Sequence, residues 1–381
     1  MKILTLIAII IALSNSALAE EKKSWFDSTL ETLGLNDNTF DESKLIDFSV
    51  IPGPFYNPEM SFGIGLSAVG LYRGDSDDKE TQLSSLVING FGSANGSFGA
   101  AIENKTFFKK DKIRLYITAN TYRAVETYYG VGYETNKNDK NAQDYKRDLY
   151  EISPTLLYNI LPHTFIGGGA HLNYTEANNV ESPSNKQVVT NDELSFSNSY
   201  KIIGVTLKAF HDSRDFTLNA KKGRLIDLSY TYYEKSLGSD ANFRKITVEW
   251  AEYYSIDKKS KNILAFQFKT EANSGEVPWD QYAKVGGSKG LRGYYEGRYR
   301  DNNVLHSQLE FRHKIKRPHG VVAWVGGAMT GESYSELRHS QVLKNFGVGY
   351  RLEVKERVNV RFDYGIGDGE SGFYMNISEA F

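Results

Sequence analysis

From about residue 46 onward, apolar and polar residues alternate along the chain with a period of two. In residues 112–119, for example, Ile113, Leu115 and Ile117 fall on one face, and lysine, arginine, tyrosine and threonine fall on the other. An apolar face opposite a face that carries both signs of charge is typical of a barrel with lipid outside and water inside. The pattern therefore predicts an all-β protein, a transmembrane antiparallel β-barrel.

Sixteen segments alternate in this way, and an even number is the rule for bacterial barrels. The predicted strands are 46–56, 61–72, 81–93, 97–107, 111–123, 148–160, 163–176, 198–211, 223–236, 242–256, 259–273, 302–315, 319–331, 340–354, 356–366 and 372–381. The long connections 124–147, 177–197 and 274–301 all follow odd-numbered strands, which places them on the external side. The short link at 57–59 is the exception to this alternation.

The first 45 residues differ from the barrel sequence. Residues 1–19 combine a positive start, an apolar run at 3–13 and a small-residue site that ends at Ala19, which is the pattern of a cleaved secretory signal peptide. In residues 20–45, Trp25, Phe26 and other apolar residues fall on one helical face, so a short helix and a polar linker are predicted. The barrel then occupies residues 46–381.

Composition excludes several classes of protein. Lys and Arg number 45 against 47 Asp and Glu, and this balance gives no basic surface for nucleic acid. The absence of cysteine excludes disulfides, thiolate metal sites and a cysteine nucleophile. The seven histidines include neither an H-E-x-x-H motif nor a pair four residues apart, so the sequence predicts no metal and no cofactor.

Three motifs, in this order along the chain, resemble the Omp85 superfamily, which includes bacterial surface antigens and BamA- and TamA-like barrels. The first, at the predicted periplasmic turn after strand eight, comprises Asp212, Arg214, Asp215 and Gly223. The second, in the long loop before strand twelve, comprises Leu291, Arg292, Gly293 and Tyr294. The third is the run of C-terminal strands that ends in Phe381.

This resemblance implies that the long loop before strand twelve, loop six of the family, folds into the lumen and that Arg292 contacts acidic residues there. Glu310 on strand twelve and Asp363 on strand fifteen are the lumen-facing candidates. The family's aspartate on strand thirteen is expected within residues 324–328, where this chain has Gly326. Its absence puts the family's usual arginine contact in doubt and favours Glu310 as the partner.

Strand one contains Pro52, Gly53 and Pro54. Proline has no N–H group, and alternate residues of a strand donate to the same edge, so one edge loses two ladder hydrogen bonds. If that edge faces strand sixteen, which ends in Phe381, the closing seam is weak and a strand or lipid headgroup could pass through it. Alternatively, the prolines mark the start of the barrel, and strand one is shorter.

The resemblance implies a non-enzymatic barrel that assists insertion or translocation of protein or lipid at the outer membrane. Its expected partners are outer-membrane lipids and lipopolysaccharide, with periplasmic chaperones and the barrel-assembly machinery during biogenesis. The POTRA domains of the family need about 75 residues each, and only about 26 residues lie between Glu20 and the first predicted strand. The chain therefore resembles the POTRA-less branch of the family. Two alternatives are a passive porin and an outer-membrane lipid hydrolase, although the G-x-S-x-G match at 286–290 falls in a loop, not at a strand–turn–helix corner.

Overall fold

The computed structural model describes residues 41–75, 77, 80–181, 199–337, 339–355 and 357–381. The predicted signal peptide at 1–19, and the predicted helix and linker as far as residue 40, lie outside the described residues. Residues 41–46 form turns and bends that lead into the first strand.

The described chain forms one antiparallel sheet of sixteen strands, which confirms the predicted all-β barrel. Each strand pairs with its sequence neighbours, so the sheet is a simple meander curved into a nearly closed barrel. The strands are β1 (Asp47–Asn57), β2 (Ser61–Tyr72), β3 (Ser84–Ser93), β4 (Phe98–Phe108), β5 (Ile113–Tyr128), β6 (Gln143–Leu161), β7 (Thr164–Glu181), β8 (Ser199–Asp212), β9 (Gly223–Tyr233), β10 (Phe243–Ser255), β11 (Asn262–Gly275), β12 (Asn303–Lys316), β13 (His319–Gly331), β14 (Leu343–Lys355), β15 (Val358–Ile366) and β16 (Ser371–Ile377).

In the residues that the structure describes, helical structure is confined to the connections. The α-helices are α1 (Tyr133–Asn136) and α2 (Tyr334–Leu337), and short 3-10 turns cover Asp139–Asn141 and Lys235–Leu237. In the part of the chain that the structure describes, no helix is both long and apolar enough to cross a membrane.

The two faces of the wall have opposite chemistry. On β12, Gln308 and Glu310 are buried inside the barrel, whereas Leu309 and Phe311 on the outer face are both 41% exposed. The exposure of Leu207 reaches 64% in the same outer belt. Since apolar side chains face outward and charged ones inward, the wall suits a lipid surround and a polar lumen.

Two predicted external loops are shorter than expected. β5 runs on to Tyr128 and β6 begins at Gln143, so the loop predicted at 124–147 shrinks to 129–142. β7 likewise continues to Glu181, into the loop predicted at 177–197. These extensions carry polar residues on both faces, since Glu126 pairs with Tyr145 on one face and Thr127 pairs with Asp144 on the other. The hydrogen-bonded ladder therefore continues after the apolar half of the alternation has ended.

β1 and β16 close the barrel by contact, and among the described residues no ladder joins them. The prolines lie in the middle of β1, which pairs with β2 without a shift from Asp47 to Asn57. The prediction that strand one is shorter is therefore wrong. Because the β2 side is paired throughout, the register favours a missing-donor edge that faces β16. The Tyr56 and Phe373 rings meet across this seam, with centroids 6.3 Å apart.

The last strand ends earlier than predicted, at Ile377 and not at Phe381. Ser378 has a φ of +71°, and the chain there turns into the lumen. The Phe381 ring lies 6.2 Å from the ring of Tyr253 on the inner wall, and Arg312 Nη2 donates to its main-chain oxygen at 3.0 Å. Phe381 is therefore part of the lumen filling beside the seam, and the prediction that it ends the closing strand is wrong.

Candidate functional site in the lumen

Loop six, residues 276–302 in the structure, folds into the barrel. A two-residue ribbon, Ala283–Lys284 paired with Arg300–Asp301, forms its stem. At its tip, Leu291 is 1% exposed and belongs to an apolar cluster that includes Ala328 of β13 and Leu343 of β14. This apolar anchor places the neighbouring Arg292 against the inner wall.

Arg292 is fully buried, and the wall satisfies most of its guanidinium group. Its Nη1 donates to Asp363 Oδ2 at 2.8 Å, and its Nη2 donates to Glu310 Oε2 at 2.6 Å. Gln308 Oε1 lies 3.2 Å from the same Nη2. The structure thus brings Arg292 to both predicted acidic candidates, on β12 and β15, and not to Glu310 alone. Charge-assisted hydrogen bonds of this kind are among the strongest side-chain contacts.

Strand β13, on which the resemblance implies an aspartate within residues 324–328, contributes an aromatic ring to the site instead. The Arg292 guanidinium lies over the Trp324 ring, 3.6 Å from its centroid, which is a cation–π contact. There is no room for a carboxylate at Gly326, because even a Cβ there would lie 2.7 Å from Asn345 Oδ1. Asn345 is itself part of the site, since its Nδ2 donates to the main-chain oxygen of Arg292 at 2.7 Å.

Three further arginines surround the carboxylates that hold Arg292. Arg361 Nη1 and Arg351 Nη1 donate to the two oxygens of Asp363 at 2.7 and 2.6 Å. Arg312 Nε donates to Glu310 Oε1 at 2.7 Å. Each carboxylate therefore binds Arg292 with one oxygen and wall arginines as well, and this shared set fixes both partners in place.

The rest of the motif seats the loop backbone on β15 and β16. Gly293 has a φ of +114°, and a Cβ there would lie 2.9 Å from backbone atoms of Ile366 and Gly367, so only glycine fits. Tyr374 on β16 accepts a hydrogen bond from Gly293 N at 3.0 Å. The buried Tyr294 donates its hydroxyl proton to Lys344 O at 2.7 Å.

The periplasmic-turn motif lies at the other end of the barrel, away from Arg292. Arg214 Nε donates to Asp212 Oδ1 at 2.9 Å, and Asp215 Oδ2 accepts from Arg357 Nη2 at 2.9 Å. Gly223 has a φ of +104°, and a Cβ there would lie 2.2 Å from Ser213 O. The motif thus shapes the β8–β9 turn and ties it to the β14–β15 turn.

Loop six leaves two lumen cavities, of about 660 and 740 Å³. Lys289 of loop six borders both, and so do Ser153, Thr155 and Lys208 of the wall, so the two cavities adjoin beside the loop tip. The larger cavity reaches the seam, where Pro52, Gly53 and Pro54 of β1 face Met375 of β16. Within the described residues, no group of three or more His, Asp or Glu side chains is placed to hold a metal ion.

Several members of this site were not predicted from the sequence. Arg351 and Arg361 alternate with apolar neighbours, so the sequence marks them as lumen-facing but not as partners of Asp363. Trp324 lies in the almost wholly apolar run 321–329, where no alternation marks the lumen face. Gln308 sits two residues before Glu310 and could have been found from that spacing, because both face the lumen on one strand.

Carboxylates also hold the outer part of loop six. Glu59, in the β1–β2 link, accepts a hydrogen bond from Glu296 N at 2.7 Å, and Glu370, before β16, accepts one from Tyr295 N at 2.9 Å. Burial, and then the nearby charge of Glu296, raise the pKa of Glu59 to about 8. A raised pKa favours the protonated form of the Glu59 carboxyl in the folded protein.

Stability is expected to fall as pH rises from about 4.5 to 8. In that window the unfolded chain loses the Glu59 proton while the folded protein keeps it, so the free energy of unfolding decreases as pH rises. Replacement Glu59→Gln removes this penalty and should stabilise the protein at pH 9 by at most about 5 kcal/mol, since one pKa unit between the folded and unfolded values is worth about 1.4 kcal/mol, with little change at pH 4. Thermal unfolding in a neutral detergent at both pH values measures the difference. Glu134→Gln, at an exposed loop carboxylate, is the control, and an equal effect of both changes would contradict this assignment.

The fold and this site define an outer-membrane type of barrel with an inward loop that is held in the lumen through a buried arginine. The chain belongs to the Omp85 superfamily, whose domain matches residues 87–381. Barrels of this superfamily reside in the Gram-negative outer membrane. No curated protein sequence matches the chain.

Solved structures of two kinds share the fold. BamA from Haemophilus ducreyi lacking POTRA domains 1-3 is similar with a TM-score of 0.56 at 14% identity, over 87% of this chain and 70% of that chain. CdiB from Acinetobacter baumannii gives 0.53 at 12% identity, over 88% and 60% of the two chains. CdiB from Escherichia coli gives 0.56 at 11% identity, over 91% and 69%. At these identities the similarity establishes the fold and leaves the activity open.

Proposed function

We propose that this protein is a non-enzymatic outer-membrane barrel that assists insertion or translocation of protein or lipid, and that the β1–β16 seam is its working edge. The observation that carries the proposal is the seam itself, where contact between the two strands occurs without a ladder. Every other neighbouring pair of strands in the described barrel is joined by hydrogen bonds.

An unpaired edge is costly in a membrane. Backbone N–H and C=O groups find no water in the hydrocarbon region, and each one left unsatisfied costs several kcal/mol, about as much as a strong hydrogen bond. A strand of an incoming protein, or a polar lipid headgroup, would satisfy those groups. The seam is therefore chemically suited to transient pairing, and the prolines of β1 weaken the competing closed state.

The loop held inside the lumen favours this proposal over a passive porin. Loop six takes up part of the lumen beside the two cavities, and its buried arginine is held by carboxylates of two strands. A diffusion channel needs a continuous polar path, whereas a seam that opens beside a closed lumen limits leakage of solutes. We propose the outer membrane as the site of action, with its lipids and lipopolysaccharide as surroundings and an unidentified protein or lipid as client.

Cross-linking the seam tests the proposal. The chain has no cysteine, so the pair Tyr56→Cys and Phe373→Cys can be joined across the seam with a short methanethiosulfonate reagent. Reconstituted in vesicles, the uncross-linked barrel should speed the refolding of a separate, urea-unfolded outer-membrane barrel by about tenfold, a change of about 1.4 kcal/mol in the barrier. The cross-linked barrel should lose this acceleration and regain it after reduction.

A matched pair within a ladder is the control. Ala68→Cys and Ile88→Cys replace register partners on β2 and β3, so their cross-link adds a covalent bond where the strands are already paired. This link should leave the acceleration unchanged. Full acceleration by the seam-linked barrel, or none by the unlinked barrel, would contradict the proposed function.

A further inference from the structure

A small cavity of about 60 Å³ lies at the periplasmic end of the barrel, between the ends of β11 to β15 and the β8–β9 turn. Among the described residues its lining is basic, with Glu353 and Glu379 as its carboxylates. The positively charged residues that line it are Lys221, Lys261, Arg312, Lys314, Arg351 and Arg357. Basic side chains thus outnumber acidic ones in the lining of the cavity.

The two carboxylates are already engaged by members of this group. Glu353 Oε2 accepts from Lys314 Nζ at 2.6 Å, and Glu379 Oε2 accepts from Arg351 Nε at 2.7 Å. Arg357 is paired with Asp215, outside the cavity, and with the main-chain oxygen of Asn219, in its lining. Arg312 and Arg351 also bind Glu310 and Asp363, but these two carboxylates are shared with Arg292. The positive charge around the cavity is therefore balanced only in part.

Three arginines that line this cavity each carry a guanidinium N–H group with no hydrogen-bond acceptor among the described residues. These groups are Nη1 of Arg312, Nη2 of Arg351 and Nε of Arg357, and each of the three nitrogen atoms is buried. The side chains of Arg312 and Arg351 are only 6% and 5% exposed. Buried donors are paired in the great majority of cases, so three unpaired donors on arginines that line the same cavity are consistent with a missing acceptor there.

The size and potential of the cavity indicate what that acceptor is. A water needs about 10–15 Å³ of such volume, so this cavity has room for roughly four waters or for one tetrahedral oxyanion. The pKa of Lys221 is lowered, by burial and then by the charges of Arg357 and Lys314. A group of waters would satisfy the donors but not this repulsion between cations, whereas an anion would satisfy both.

We propose that this cavity binds a phosphate group, either as free phosphate or as the headgroup of a phospholipid at the inner rim of the barrel. Arginine forks match phosphate oxygens and hold them through several charge-assisted hydrogen bonds. The site is independent of the proposed insertion activity. It also touches the loop-six clamp, because Arg312 and Arg351 hold Glu310 and Asp363 at their other ends.

Calorimetric titration of the refolded barrel in a neutral detergent tests the site, with sodium phosphate added at constant ionic strength. We expect saturable binding that weakens about tenfold in Lys221→Gln and in Arg357→Gln, as expected for loss of one charged hydrogen bond. Lys222→Gln, at the exposed neighbouring lysine that does not line the cavity, should bind as the wild type does. Lys221→Gln keeps the test valid if Arg357→Gln fails to fold.

Two short-chain lipids separate the possible sources of the phosphate group. Dihexanoyl phosphatidylglycerol and dihexanoylglycerol differ by the headgroup phosphate, so binding of the first alone assigns a headgroup site. Binding of inorganic phosphate, with or without the phospholipid, supports the free-ion form of the proposal. No saturable binding of phosphate or phospholipid, or equal weakening by Lys221→Gln and Lys222→Gln, would overturn it.

Discussion

Replacing Arg292 by alanine is expected to destabilise the barrel by about 3–5 kcal/mol, because the change leaves Glu310 and Asp363 buried with one cation fewer. Loop six should then leave the wall, since its backbone contacts around Gly293 depend on the same seating. Thermal unfolding in detergent measures the first effect. Trypsin cleavage within residues 276–302 of the folded barrel measures the second.

Two variants control for charge and for loop position. Arg292→Lys keeps the charge but lacks the planar fork, so it should recover only part of the stability. Lys289→Ala removes a cation three residues away whose side chain is 71% exposed, and it should behave as the wild type does. Equal stability of the Arg292→Ala and Lys289→Ala barrels would contradict the clamp.

Replacing both seam prolines, Pro52→Val with Pro54→Val, is expected to close the seam. The change restores two N–H groups on β1, and two new ladder bonds to β16 should stabilise the folded barrel by about 1–3 kcal/mol. The temperature at which the folded, fast-migrating form is lost on electrophoresis should therefore rise. The acceleration of client refolding should fall several-fold, because a paired edge no longer accepts another strand.

Pro154→Val is the matched control for this change. Pro154 lies within β6, opposite Ile117 of β5 and away from the seam, so its replacement alters a strand proline without altering closure. It should leave the refolding activity unchanged. If the double seam variant neither raised the transition temperature nor lowered activity, the prolines would have no part in a working seam.

The barrel was predictable in detail because apolar and polar residues alternate with a regular period of two along its strands. Alternation of apolar and charged residues specifies which face meets lipid, and sixteen strands followed from it with most boundaries close to the observed ones. The errors occur where the apolar partner disappears. β5 and β6 continue as a paired ribbon past Arg123 with polar residues on both faces. After Ile377 the chain leaves the sheet and turns into the lumen, where Glu379 is buried against Arg351.

The site was predictable only in part. The loop motif indicated Arg292, and the alternation indicated Glu310 and Asp363 as acids that face the lumen. In the structure Arg292 pairs with both of these acids. The aromatic contact with Trp324 could not be predicted, because it depends on the depth to which loop six descends. The basic cavity near Arg357 was also missed, since it joins residues from several strands and turns that no local pattern connects.

The most direct test of the account is the single-channel conductance of the refolded barrel in a planar bilayer, with the wild type beside Arg292→Ala. A lumen closed by loop six predicts small, brief openings in the wild type and large, long openings in the variant. Large and steady conductance in both would make the protein a passive porin. In that case its place in the superfamily would reflect shared ancestry, and neither the clamp nor the working seam would explain its function.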